Sequence, residues 1–122
     1  MDHNSIKAQT ERVAEMVIRS WGRESLMDHH YRGKRTLEEA AELAQALGVD
    51  EAQALRIVMH VFSREVGDPQ QELAGTASTL LATAHALGFD MGDALRQELD
   101  RMETVPMDIL QAKHESKARA GI

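Results

Sequence analysis

The chain has 122 residues and a formal charge of −6, which suits one domain and argues against a nucleic-acid backbone as partner. It has no cysteine, which excludes disulfides and thiolate metal sites, and only 3% aromatic residues, which leaves little for base stacking. The core must therefore be built from Leu, Ala, Val, Ile and Met, drawn from the 43% of the sequence that is apolar.

The first helix is predicted from Ser5 or Ile6 to about Ser20, with Val13, Met16, Val17 and Trp21 on one face and Gly22 as its stop. The start Met1-Asp2-His3-Asn4-Ser5 has no basic run followed by an apolar one, so no signal peptide is read there. No apolar stretch is long enough to span a bilayer. The expectation is a soluble, cytoplasmic protein without membrane or nucleic-acid partners. Arg23 to Arg35 shows no clear period and reads as a loop, rich in His and Arg, with at most a short turn.

A second helix is predicted from Arg35 or Thr36 to Gly48. Thr36 and Glu39 have capping-box spacing, and Leu37, Ala40, Ala41, Ala44 and Leu47 form an apolar face. A third follows Asp50. Leu55, Val58, Met59 and Phe62 lie on one face, and Ile57 and Val61 on another, so it is expected in the core or at a subunit contact. A fourth opens with Asp68 as N-cap and Pro69 as first residue. Its Leu73, Ala77, Leu80, Ala84 and Leu87 are spaced four, three, four, three, a coiled-coil-like seam, and Gly88 ends it.

A fifth helix starts near Asp90 and buries Met91, Leu95, Leu99 and Met102. Pro106 interrupts it, a helix resumes from Met107 to about His114, and Glu115 to Ile122 are expected to fray. No strand or hairpin signal occurs. The fold class is all-α.

The chemistry centres on Glu38, Glu39 and Glu42. Carboxylates three or four residues apart share a helix face and repel, by roughly a few tenths of a kcal/mol per pair. A divalent cation between them reverses that sign, and Mg²⁺ prefers such hard oxygen ligands. The competing reading is a solvated acidic face. His29 and His30 are adjacent and so cannot share a helix face, which argues against a histidine metal site. His60 and His85 are read as surface or packing residues. Trp21 and Tyr31 are placed either in the core or flanking a base.

The run Glu38-Glu39-Ala40-Ala41-Glu42-Leu43, followed about thirty residues later by Gln71-Glu72-Leu73-Ala74-Gly75, resembles the MazG-like all-α nucleoside triphosphate pyrophosphohydrolases. That family carries Glu-Glu-x-x-Glu on one helix and Glu-x-x-Asp on a later one. The likeness extends to Arg35-Thr36-Leu37, Ala46-Leu47-Gly48, Val66-Gly67-Asp68-Pro69 and Leu87-Gly88-Phe89-Asp90-Met91, and is nearest to a bacterial and phage branch described as dATP/dGTP pyrophosphohydrolases. It implies a single domain over 1–122, a bundle of four main helices plus a C-terminal helical extension, and a homodimer or homotetramer.

It further implies a Mg²⁺- or Mn²⁺-dependent hydrolase that cleaves a (d)NTP between its α- and β-phosphates, with purine deoxynucleotides favoured. Glu39, Glu42 and Glu72 match the metal-binding acids, and Glu38 with Glu39 the catalytic ones. Lys34, Arg35 and Lys113 are candidates for the triphosphate, with Arg32 and Lys117 near them. Gly75 departs from the pattern, which has Asp there, so Asp68, Glu38, Thr76 or water would supply the missing oxygen. The alternative is a catalytically silent MazG-like module that binds a nucleotide or another protein.

Overall fold

The computed structural model describes residues 2–122. Among them every regular element is a helix: α1 (Ile6–Trp21), α2 (Arg23–Met27), α3 (His29–Ala46), α4 (Glu51–Phe62), α5 (Pro69–Leu87), α6 (Met91–Thr104) and α7 (Met107–Arg119). The all-α expectation holds.

Local chemistry sets most of the boundaries. Ser5 caps α1 by accepting from Ala8 N at 3.1 Å, and Gly22 closes it at φ 91°. Asp50 and Gln53 form a reciprocal capping box at the start of α4, with bonds of 2.8 and 3.2 Å. Asp68 accepts from Gln71 N at 3.0 Å with Pro69 behind it, and Asp90 accepts from Asp93 N at 2.8 Å. Gly88 ends α5 in the left-handed region at φ 75°, where a side chain would be strained.

Two expected boundaries are corrected. Arg23 to Arg35 is helical, because Asp28 leaves helical geometry and caps a new helix, accepting from Tyr31 N at 3.0 Å. Thr36 is therefore inside α3, where its hydroxyl donates to Arg32 O at 2.9 Å instead of capping. The C-terminal helix also runs beyond His114 to Arg119. Its last turns are tied to α3 through Lys117.

Packing is organised by α1, which lies against α2, α6 and α7, while α3 packs on α2 and meets α4. Val17 of α1, Leu99 of α6 and Leu110 of α7 are each buried. Burying one such leucine stabilises the fold by roughly 1.5–3 kcal/mol. Polar ties brace the same faces. The buried Gln9 donates to Gly92 O at 2.8 Å, and Arg12 bridges Asp100 and Glu103 at 2.7 and 3.0 Å.

The other half of the molecule is different. Among the described residues, α5 packs against no other helix to a comparable extent. The apolar faces expected to be buried on α4 and α5 face outward within one chain, with Met59 71%, Phe62 81% and Leu73 73% exposed.

Candidate functional site

The central stretch of α3 carries the acids. One oxygen from each of Glu38, Glu39 and Glu42 lies within 4.8 Å of the others, and among the described residues this is the group of three or more carboxylate, His or Cys ligand atoms that converges in this way. The helix spacing produces it directly, since residues three and four apart stack on one face.

The three acids are not equivalent. Glu38 is largely covered and neutralised: Lys117 Nζ donates to its Oε1 at 2.6 Å, and Arg35 Nη1 is 3.5 Å away. Glu39 is held above the ordinary carboxylate range, first by partial desolvation and then by the charges of Glu42 and Glu38, with Lys117 acting in the opposite sense. Glu39 and Glu42 are both exposed.

Glu39 also lines a cleft of about 310 Å³ in the packed half of the molecule. Its basic wall is Arg32, Arg35, Arg101, Lys113 and Lys117, and its flat walls include Trp21 and Tyr31. Four helices meet here. α1 contributes Trp21, α3 contributes Tyr31, Arg35 and Glu39, α6 contributes Arg101, and α7 contributes Lys113, His114 and Lys117.

The walls are partly pre-ordered. Tyr31 Oη shares a 2.7 Å hydrogen bond with His114 Nδ1, and the two rings meet edge to face at 5.3 Å. The Arg32 and Arg35 guanidinium carbons lie 4.9 and 5.0 Å from the Tyr31 ring centre, and Lys34 Nζ 5.9 Å. Trp21 Nε1 donates to Leu110 O at 3.3 Å. Arg35 is the exception. Its Nε and Nη1 are buried with no hydrogen-bond partner among the described residues, a costly arrangement for a guanidinium.

The chain matches no protein-family model, and neither the curated proteins nor the solved structures contain a match to it.

The candidate residues from the sequence thus fall into two sets. Glu38, Glu39, Glu42, Arg35 and Lys113 lie at one cleft and its rim. Lys34 stands beside them on α3, near the Tyr31 ring, without lining the cleft. Glu72 lies on α5, exposed, outside the carboxylate group of its own chain. Asp68 is occupied as the α5 N-cap. His60 and His85 are exposed, and Gly75 has open space around the position a Cβ would take.

Three cleft residues carried no signal in the sequence. Glu98, Arg101 and His114 belong to helices read only for their apolar stripes, and only the crossing of α6 and α7 over α1 brings them to Glu39. Arg101 is held by Glu98 through bonds of 2.6 and 3.0 Å, which keep its guanidinium oriented at the cleft edge.

Chemically, the arrangement sets a hard-oxygen anion cluster next to a cationic, partly aromatic cleft. Carboxylates of this kind suit a divalent cation with oxygen preference, and the adjacent Arg and Lys suit phosphate oxygens. The carboxylates that could hold such an ion are Glu39 and Glu42, with Glu38 committed in part to Lys117.

Proposed function

We propose that this chain is a metal-dependent (d)NTP pyrophosphohydrolase that cleaves between the α- and β-phosphates to give a (d)NMP and pyrophosphate. The observation that carries the reading is Glu39: it belongs both to the three-carboxylate group and to the wall of the cleft that Arg35, Lys113 and Lys117 line. A substrate that brings both a cation and a polyphosphate answers both charges at once. Purine deoxynucleotides are the favoured substrates on the resemblance of the acidic run and its turns.

In this reading Glu39 and Glu42 would hold a Mg²⁺ or Mn²⁺ ion. Such an ion neutralises phosphate charge and lowers the pKa of a bound water. A carboxylate of this group, Glu38 or Glu39, would accept the proton of the attacking water. Arg35 and Lys113 line the cleft as cations for phosphate oxygens, and Lys117, paired with Glu38, adds to the positive field. Tyr31 and Trp21 offer flat faces for the base. Water adds across the α,β-anhydride, and pyrophosphate leaves with the bond's electron pair.

A second reading is a nucleotide-binding module without turnover. The Lys117–Glu38 ion pair favours it, because it neutralises one of the three acids. One experiment separates the two. The protein is incubated with each dNTP and NTP in Mg²⁺ or Mn²⁺, and monophosphate and pyrophosphate are measured. Turnover that is lost in Glu39→Ala and Glu42→Ala supports the hydrolase. Nucleotide binding without turnover supports the module, and full activity in both variants sinks the metal site.

A further inference from the structure

We propose that α7 is a lid over the cleft, hinged at Val105 and Pro106, and that a polyphosphate anion bound beneath it holds it shut. The inference rests on the anion-binding half of the nucleotide reading and needs neither a metal ion nor turnover.

The lid is fastened by one narrow stripe. Along the 13 residues of α7 only Leu110 is buried, His114 and Lys117 are half-buried, and every other residue is exposed. These three are four and three residues apart, so they share a helix face. Their contacts weaken away from the hinge. Leu110 is in the core, and its carbonyl accepts from Trp21 Nε1 at 3.3 Å. His114 Nδ1 shares one 2.7 Å hydrogen bond with Tyr31 Oη. Lys117 Nζ reaches Glu38 Oε1 at 2.6 Å, but the pair is partly exposed, and such pairs add little stability. Leu110 can therefore stay in place as a fulcrum while the far end lets go.

The link behind the fulcrum suits rotation. Val105 and Pro106 separate α6 from α7 and are extended, at ψ 127° and 141°. Hinges are a few element-terminal residues of this kind. Leu110 and Lys117 are about 10 Å apart along the helix axis. A small rotation at the hinge thus carries Lys117 away from Glu38.

The charges say what closes the lid. Shutting it brings Lys113 and Lys117 into a cleft whose other walls already hold Arg32, Arg35 and Arg101. Two carboxylates line that cleft, Glu39 and Glu98, and Glu98 is taken up by Arg101. Closure therefore gathers an excess of positive charge around about 310 Å³, and like charges oppose it. An anion between the walls reverses the sign. It meets the α7 cations only when the lid is shut, so it binds the shut form better, and a ligand moves an equilibrium only through such a difference. Guanidinium and ammonium groups in this number suit a multiply charged phosphate chain.

The test places spin labels at Thr36→Cys on α3 and Ser116→Cys on α7, both exposed, in a full chain with no other cysteine. Labelled chains are diluted into unlabelled ones, so that only distances within one chain are read. Without ligand the expected distribution has two components. Inorganic pyrophosphate is expected to collapse it to the shorter one, while sodium chloride of equal ionic strength leaves both. Before pyrophosphate is added, Tyr31→Phe and Lys117→Met are each expected to raise the share of the longer component roughly twofold or more, the effect of losing one net hydrogen bond or exposed pair. Hydrogen exchange of the unlabelled wild type is a second readout. Pyrophosphate is expected to slow the amides after Leu110 and to leave those of α1 unchanged. A single distance that pyrophosphate does not move, or slowing spread evenly over α1 and α7, overturns the lid. Closure by pyrophosphate in a chain that turns over no (d)NTP keeps the lid and sinks the hydrolase. Turnover in a chain whose α7 stays fixed does the reverse.

Discussion

Lys117 Nζ sits 2.6 Å from Glu38 Oε1, joining residues 79 apart in the sequence and fixing the last turns of α7 to the acidic stretch of α3. This one bond does two things. It holds the extension in place, and it removes much of the charge of the best-covered acid in the cluster. The pair is not deeply buried, so its net value is modest, at the upper end of the exposed range, about 1 kcal/mol.

Lys117→Met is expected to lower stability by about that amount in low salt, with Arg35 still near enough to Glu38 to limit the loss. The difference from wild type should shrink in high salt, since the pair is partly open to solvent. Denaturant titrations at two ionic strengths measure both. An unchanged midpoint in low salt would show that the extension is not held by this pair.

Glu39 gives a pH signature. Its carboxyl is raised above the ordinary value, so between that value and its native one the folded chain holds more protons than the unfolded chain. Stability contributed by this group is then full below the ordinary carboxylate range and is lost as pH rises through the raised native value. Glu39→Gln removes the loss. The variant is expected to be more stable than wild type at neutral pH and to converge with it in acid. Melting curves across that interval check it, and a variant less stable than wild type at neutral pH would contradict the repulsion among the three acids.

How much of this was legible in the sequence depends on the range of the interaction. Caps and stops were, because Asp50, Asp68, Pro69, Gly22 and Gly88 act within one turn of themselves. The core face of α1 was, because Val17 lies on a plain helical stripe. The start of α3 was missed, because the His- and Arg-rich segment has no apolar period and its helicity comes from the Asp28 cap. The acidic group was visible as spacing alone. The cleft was not, since Glu98, Arg101 and His114 reach it through tertiary crossings that no local pattern records. The seam on α5 was also visible as spacing, though among the described residues no helix packs on α5 as α2 and α6 pack on α1.

Leu99 and Leu73 separate the two halves of the molecule. Leu99 is 1% exposed, so Leu99→Ala leaves a cavity and is expected to cost about 2–5 kcal/mol at any protein concentration. Leu73 is on the outward face of α5. Leu73→Ala in a lone chain is expected to change stability by no more than about 0.5 kcal/mol. In an assembly built on α5 it costs more, and its midpoint depends on protein concentration. Chemical denaturation of both variants over a range of concentrations distinguishes the cases.

Divalent cations test the acidic group without any substrate. An ion that binds only the folded chain adds about 2.7 kcal/mol at a hundredfold excess over its Kd, a shift of several degrees in Tm for a chain of this size. Glu39 is raised first by desolvation and then by the charges of Glu42 and Glu38, which a metal would neutralise, so the gain is expected to be larger at neutral pH than in acid, where the carboxyls are protonated and cannot ligate. Mn²⁺ and Mg²⁺ are expected to raise Tm in wild type, EDTA to reverse the shift, and Glu42→Ala to abolish most of it. Lys117→Met frees Glu38 as a third ligand and is expected to tighten the ion. A Tm that ignores both ions in wild type would leave Glu38, Glu39 and Glu42 as a solvated face, and the cleft beside them as a cationic pocket without a metal.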